Sequence, residues 1–179
     1  MPGVGRTISD IRLNSKRALV CGRGSETHPG FRPRISTPTA DIESDLYVTV
    51  DHSPDYVGYI TRPGDYAISV IVDPAVPKKI AEVGGKIHWF APSYMDLPVP
   101  RITAGKFPRE NSGLACVALA VFLGAREVLL SGIRLSGRYA QFMEGKEIVF
   151  REASGAGVSL YSTDGVLCDR VPEGARGWT

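Results

Sequence analysis

Short runs of apolar residues, each closed by glycine, proline or a polar cluster, recur along the chain from Arg17 onwards. Continuous apolar runs of this kind are typical of strands that a parallel sheet buries on both faces. The pattern therefore predicts strands at residues 17–21, 46–50, 66–72, 86–90, 127–130 and 158–162.

The stretches between these runs predict helices and loops that alternate with the strands. Helices are expected at residues 54–60, 76–83 and 112–123. Loops are expected at the proline-rich stretches 27–39 and 91–108 and at the polar stretch 133–145. Strands that alternate with helices or long connections predict a single, doubly wound α/β domain with a mainly parallel sheet of about six strands.

Length, charge and composition narrow the class of protein. A chain of 179 residues suits one domain, 1–179, with candidate flexible tails at 1–14 and 172–179. The net charge of +2 gives no electrostatic footprint for nucleic acid, and no apolar stretch is long enough to span a membrane. The start of the chain lacks the apolar core of a signal peptide, which predicts a cytoplasmic protein. The widely spaced cysteines and histidines predict no metal site. The sequence is compatible with a homo-oligomer and does not decide the oligomeric state.

A glycine-containing turn, Gly22-Arg23-Gly24-Ser25, directly follows the first predicted strand. Glycine lets a phosphate approach the backbone closely because it has no Cβ atom. The third glycine of the dinucleotide fingerprint is missing and no helix follows, so NAD is not favoured. The turn is a candidate nucleotide-binding element, and an ordinary strand-to-loop turn is the alternative.

The start of the small-residue helix and the end of the second predicted strand supply further nucleotide-binding candidates. The side chains of Asn111 and Ser112 can cap the helix, and the backbone N–H groups up to Gly113 favour an anion together with the helix dipole. Asp51 ends its strand, where a carboxylate often receives ribose hydroxyls. The alternative for Asp51 is a cap on the turn around Ser53.

Four side chains are candidates for a catalytic role. His52 and His88 are candidate proton carriers because imidazole titrates close to neutrality. Their alternatives are a surface position for His52 and a packed strand position for His88. Arg109 and Arg134 are candidates for stabilising charge on a leaving phosphate through bidentate hydrogen bonds. The alternative for both arginines is a solvated loop position.

Several segments carry a family resemblance. They are Arg109-Glu-Asn-Ser-Gly, Ala120-Val-Phe-Leu-Gly, Glu127-Val-Leu-Leu-Ser-Gly-Ile, the turn Gly22-Arg-Gly-Ser-Glu and the late segment Gly157-Val-Ser-Leu-Tyr-Ser-Thr-Asp-Gly. Together they resemble the core of bacterial CMP-sialic-acid-dependent sialyltransferases and of the related 6-hydroxymethylpterin diphosphokinase-like Rossmann domain family. Asp51 falls where the sialyltransferases carry an asparagine that contacts the nucleotide.

The resemblance implies a Rossmann-like domain that binds a CMP-type nucleotide or nucleotide sugar. The implied contacts are Gly22, Gly24, Asp51, Ser112 and Gly113. It also implies group transfer from that nucleotide. The leading hypothesis is therefore a small nucleotide-dependent, glycosyltransferase-like transferase, and a diphosphokinase-like enzyme is one alternative.

The chain also departs from the family pattern. Arg23 replaces the asparagine of the first turn, and Arg134 replaces an acidic residue. The stretch 99–107, where the sialyltransferases place their catalytic histidine, contains no histidine, and the chain is too short for their lid subdomain. A lost base and a lost lid weaken proton transfer and water exclusion. These departures favour a second alternative, a protein that senses or sequesters a nucleotide without turnover; a structural protein with a vestigial crevice is a third.

Overall fold

The computed structural model describes residues 5–13, 15–28, 30–106, 109–133 and 141–163. Over these ranges the chain forms a parallel sheet with helices packed on its faces, so the predicted α/β fold is confirmed. Within the same ranges no helix is both long and apolar enough to cross a membrane.

Eight strands form one sheet in which every pair of neighbours is parallel. They are β1 (Arg17–Cys21), β2 (Arg34–Ser36), β3 (Leu46–Thr49), β4 (Asp65–Ser69), β5 (Lys86–Pro92), β6 (Arg101–Ile102), β9 (Glu127–Ser131) and β10 (Ser159–Ser162). A separate antiparallel pair is formed by β7 (Gly105–Lys106) and β8 (Arg109–Glu110). The order across the large sheet is β10-β9-β1-β2-β3-β4-β5-β6.

The described part of the chain contains three α-helices and three short 3-10 helices. The α-helices are α1 (Ala75–Glu82), α2 (Ser112–Phe122) and α3 (Met143–Gly155). The 3-10 helices are Ile8–Asp10, Pro38–Ala40 and Pro54–Tyr59. As predicted, α2 begins after Asn111, whose Oδ1 accepts a hydrogen bond from the Leu114 N–H at 3.1 Å. It ends before Gly124, which takes the left-handed conformation that favours glycine, with φ 92°.

The strand order reverses next to β1. The chain adds β2 to β6 on one side of β1 and then returns to place β9 and β10 on the other side. In doubly wound sheets, a ligand commonly binds outside the carboxyl ends of the strands at such a reversal. The edge where β1 and β9 end is therefore the first place to examine for a site.

Alternation along β1 divides the core between the two faces of the sheet. Ala18 and Val20 pack into the cluster that contains α2, whereas Leu19 and Cys21 pack on the opposite face with Phe31. Because α2 is covered by both the sheet and α3, it is apolar on nearly all sides. Burial of both faces explains why the β1 run is continuously apolar.

Two strands of the large sheet lie where the sequence predicts loops, so this sheet has eight strands rather than about six; β7 of the small antiparallel pair also lies in a predicted loop. β2 falls inside the predicted loop 27–39, where Ile35 pairs with both Val20 of β1 and Leu46 of β3. β6 falls inside the predicted loop 91–108 and pairs with the end of β5. Strands this short contain too few residues for a hydrophobic period, and flanking prolines favour a loop prediction.

The predicted loop 133–145 is wrong at its end, because α3 begins at Met143. The first turn of α3 contains a glutamate and a glycine, so no apolar stripe marks the start of this helix, and few residues of the helix are buried.

The N-terminal segment, predicted as a candidate flexible tail at 1–14, packs against the sheet in part. Ile8 is fully buried, and the Arg6 carbonyl accepts a hydrogen bond from the Trp89 N–H at 3.0 Å. Residues 172–179 lie outside the described ranges.

Candidate functional site

A pocket of about 390 Å³ opens beside the carboxyl ends of β1 and β2 and the first residues of β3 and β4. It is lined by the turn after β1, by the segment from Pro38 to Ile42 and by the segment from Gly58 to Arg62. Its volume falls in the range of small-molecule sites. The pocket lies on the sheet face opposite α2, because Tyr47 and Tyr66 of its lining belong to the core on that face.

Two tyrosine rings form one wall of this pocket. Tyr47 and Tyr66 stack with ring centroids 4.9 Å apart and an interplanar angle of 26°. The Tyr66 hydroxyl donates to the Arg62 carbonyl at 2.7 Å. Burial, with a smaller contribution from Tyr47, raises the pKa of Tyr66 to about 12, so the phenol keeps its proton. Tyr59 adds a third ring, 45% exposed, that a ligand can contact.

The charged side chains of the pocket are two guanidinium groups and one carboxylate. Arg62 Nη2 lies 3.0 Å from Asp41 Oδ1 and joins two of the three segments that line the pocket. Exposed ion pairs of this kind contribute little to stability. The Arg23 side chain is exposed and has no hydrogen bond or ion pair with any described residue. The pocket therefore has one unpaired positive charge available to an anion.

The predicted nucleotide-binding turn divides between this pocket and the junction of β1 with β9. Arg23 and Gly24 line the pocket. Gly22 instead donates its N–H to the Ser131 carbonyl at 2.8 Å, and the Ser25 hydroxyl donates to the same carbonyl at 2.7 Å. Gly22 and Ser25 therefore join β1 to β9, whereas Arg23 and Gly24 face the pocket.

The reversal of strand order between β1 and β9 is filled by protein. A Cβ atom on Gly22 would lie 2.3 Å from the Gly132 carbonyl oxygen and 2.8 Å from Ile133 Cδ1. A Cβ atom on Gly113 would lie 3.0 Å from the same Ile133 atom. The two predicted glycine-containing segments are thus close together, but the Ile133 side chain, 5% exposed, occupies the space between them. Gly22 therefore lets the Gly132 backbone and the Ile133 side chain pack closely against β1, and it does not leave room for a phosphate.

The other predicted nucleotide contacts form internal hydrogen bonds and do not line the pocket. Ser112 Oγ accepts from the Val50 N–H at 3.2 Å and so attaches α2 to the end of β3. Asn111 caps α2 as described above. Asp51 Oδ1 accepts from the Ser53 N–H at 2.9 Å, which is the turn-capping contact considered as the alternative for this residue.

The candidate catalytic residues do not converge. His52 is exposed on the turn after β3. His88 is buried in the first half of β5, away from the carboxyl edge, with Nε2 2.7 Å from Asp65 Oδ1 and Nδ1 3.3 Å from the Thr7 carbonyl oxygen. These contacts attach the N-terminal segment to the sheet. Arg109 lies in β8, opposite Lys106, and Arg134 lies outside the described residues.

Apart from Arg23 and Gly24, the sequence singled out none of the residues that line the pocket, and the polar ones it missed include Asp41, Tyr59 and Arg62. Each follows a short 3-10 helix or lies within one, where no hydrophobic period draws attention. The one available signal was the position of their segments after β2 and β3, and β2 itself was not predicted. No group of three metal-ligating side chains occurs within the described residues.

Two buried thiols make stability sensitive to alkaline pH. Burial raises the pKa of Cys21 from 9.0 to about 11 and raises that of Cys116 well above its ordinary value. Below pH 9 the thiols are protonated in both the folded and the unfolded chain. Between pH 9 and 11 only the unfolded chain loses these protons, so stability falls as the pH rises through this window.

We expect the Cys21 thiol to lower the free energy of unfolding by about 2 kcal/mol across that window. Urea unfolding at pH 8.5 and pH 10.5, compared between the wild type and Cys21→Ala, isolates the contribution of one thiol. The variant should lose less stability than the wild type over the same interval. Equal losses in the two proteins would show that Cys21 ionises alike in the folded and unfolded states.

Comparison of this chain with protein-family models, with curated proteins and with solved structures finds no match. Its function must therefore be argued from the pocket and from the chemistry of the residues that line it.

Proposed function

We propose that this protein binds a nucleotide, or a similar molecule with a phosphate and a planar ring, in the pocket beside Arg23. The observation that carries the proposal is the Arg23 guanidinium, which has no partner among the described residues and lines a pocket of about 390 Å³ together with three tyrosines. A guanidinium donates hydrogen bonds to phosphate in a bidentate geometry. The Tyr59 ring, which is 45% exposed, provides an apolar face for a planar base.

The geometry supports binding without turnover better than it supports group transfer. A transferase needs a base within reach of the acceptor. Neither His52 nor His88 lines the pocket, and the carboxylate that does line it, Asp41, is paired with Arg62. The glycosyltransferase-like and diphosphokinase-like hypotheses thus depend on side chains outside the pocket, whereas sequestration or sensing of a nucleotide needs only the residues already present there.

Thermal denaturation with a panel of ligands tests the proposal. The panel contains mononucleotides such as CMP, nucleotide sugars and pterins, with cytidine and inorganic phosphate as matched halves of CMP. A ligand at a hundred times its Kd should stabilise the fold by about 2.7 kcal/mol and raise Tm by roughly 5–10 °C. Cytidine alone or phosphate alone should raise Tm much less, since cytidine contacts only the rings and phosphate contacts only Arg23.

Two results would contradict the proposal. If no member of the panel raises Tm, the pocket does not bind this class of molecule. If a nucleotide sugar binds and chromatography then detects a transferred or hydrolysed product, the transferase hypothesis replaces binding without turnover. A shift with intact ligand recovered after prolonged incubation supports the proposal as stated.

A further inference from the structure

Asp41 is a carboxylate in a pocket that otherwise suits an anion. Its Oδ1 atom lies 3.0 Å from Arg62 Nη2, and its carbonyl oxygen lies 3.5 Å from the same nitrogen. Asp41 and Arg62 both line the pocket, on segments that follow β2 and β3. One of the two guanidinium groups of the pocket is therefore already engaged before any ligand arrives.

The backbone holds both partners of this pair. Asp41 has φ 54°, in the left-handed region, which aspartate and asparagine tolerate better than most residues. The carbonyl of Arg62 accepts the Tyr66 hydroxyl at 2.7 Å, which fixes the backbone from which the arginine side chain extends. The Asp41 side chain itself is 89% exposed, and its contact with Arg62 is the interaction that directs the carboxylate to the pocket.

We propose that Asp41 is a specificity-determining residue that restricts the ligand to one phosphate group, as in a nucleoside monophosphate or its ester. This inference rests on the nucleotide-binding function proposed above. A phosphate monoester carries about two negative charges near neutral pH, which already exceeds the single unpaired charge of Arg23. A second phosphate adds negative charge next to Asp41 and finds no free guanidinium among the residues that line the pocket.

The discrimination depends on the like charge of Asp41, and its size follows from Coulomb's law. Two unit charges a few ångströms apart in a solvated site change an equilibrium constant by about threefold to tenfold. The wild type should accordingly bind CMP at least as tightly as CDP, even though CDP offers more hydrogen-bond acceptors. Salt screens such repulsion, so the preference for CMP should narrow as the ionic strength rises.

Calorimetric titration of CMP, CDP and CTP into the wild type and Asp41→Asn tests this role. Asparagine has nearly the same shape and tolerates the left-handed conformation, so the variant removes the charge and leaves the turn in place. We expect the ratio of the CDP affinity to the CMP affinity to rise by about threefold to tenfold in Asp41→Asn. The matched control is Asp96→Asn, which breaks the exposed pair with Arg101 outside the pocket and should leave the ratio unchanged.

The outcomes separate this inference from the proposed function. If no cytidine nucleotide binds the wild type, and the wider panel also fails, the proposed function is wrong. If CMP binds but CDP binds tenfold more tightly, or if Asp41→Asn leaves the ratio unchanged, the role of Asp41 is wrong and the nucleotide site stands. A narrowed CMP preference at high salt in the wild type gives support that needs no variant.

Discussion

The Gly22→Ala variant is expected to be less stable than the wild type by about 3 kcal/mol, the cost of forcing an extra carbon into a closed contact. The added Cβ would lie 2.3 Å from the Gly132 carbonyl oxygen, far inside van der Waals contact. A backbone oxygen cannot rotate away as a flexible side chain does. The register of β1 on β9, with Cys21 opposite Ser131, also prevents the two backbones from separating.

Urea unfolding of Gly22→Ala and of Gly155→Ala measures this effect against a matched control. A Cβ on Gly155 meets no atom within 4 Å, and the residue lies at the end of α3 with ordinary backbone geometry. The control should therefore be neutral or more stable by up to about 1 kcal/mol, from helix propensity. Equal stability of Gly22→Ala and the wild type would mean that the β1–β9 junction has room, as an open ligand crevice requires.

Replacing Arg23 with alanine is expected to weaken nucleotide binding by about tenfold to a hundredfold. A hydrogen bond to a charged group contributes more than a neutral one, and Arg23 has no competing partner among the described residues. Because the side chain is exposed and unpaired, its loss should leave the fold intact. Affinity should therefore change without a matching change in Tm of the free protein.

Calorimetry on Arg23→Ala, Arg23→Lys and Arg101→Ala distinguishes bidentate hydrogen bonding to a phosphate from simple attraction by a positive charge. Lysine keeps the charge but loses the bidentate geometry, so Arg23→Lys should bind with intermediate affinity. Arg101 lies outside this pocket, and Arg101→Ala should bind as the wild type does. If Arg23→Ala retains full affinity while the wild type binds CMP, the phosphate lies elsewhere on the molecule.

The β1–β9 junction is filled by protein, whereas the neighbouring pocket is open, and the contacts at each place explain the difference. At the junction of β1 and β9, Ser25 and Gly22 both donate to the Ser131 carbonyl, and Ile133 fills the remaining space. Beside β2 and β3, short 3-10 helices follow the strands in place of α-helices and leave a pocket uncovered. The open pocket therefore lies beside the reversal of strand order rather than within it.

Local chemistry in the sequence determined much of the fold. Continuous apolar runs predicted β1, β3, β5 and β9, because a strand buried on both faces must be apolar throughout. The cap at Asn111 and the glycine after α2 located that helix at both ends. These features depend on neighbours a few residues away, and such neighbours are visible in a sequence. The position of Arg23 and Gly24 directly after β1 also predicted that they lie at the carboxyl edge of the sheet, where they line the pocket.

Tertiary structure alone decided which residues line the pocket and that the predicted crevice between Gly22 and Gly113 is filled. Arg23, Asp41 and Arg62 lie on three irregular segments that have no period, and parallel pairing of β1, β2 and β3 brings these segments together. Ile133 fills the predicted crevice because its side chain reaches a glycine on a distant segment, a contact that no local pattern encodes. Packing over long sequence separations is settled only when the whole core assembles, and it therefore determined the location of the candidate site.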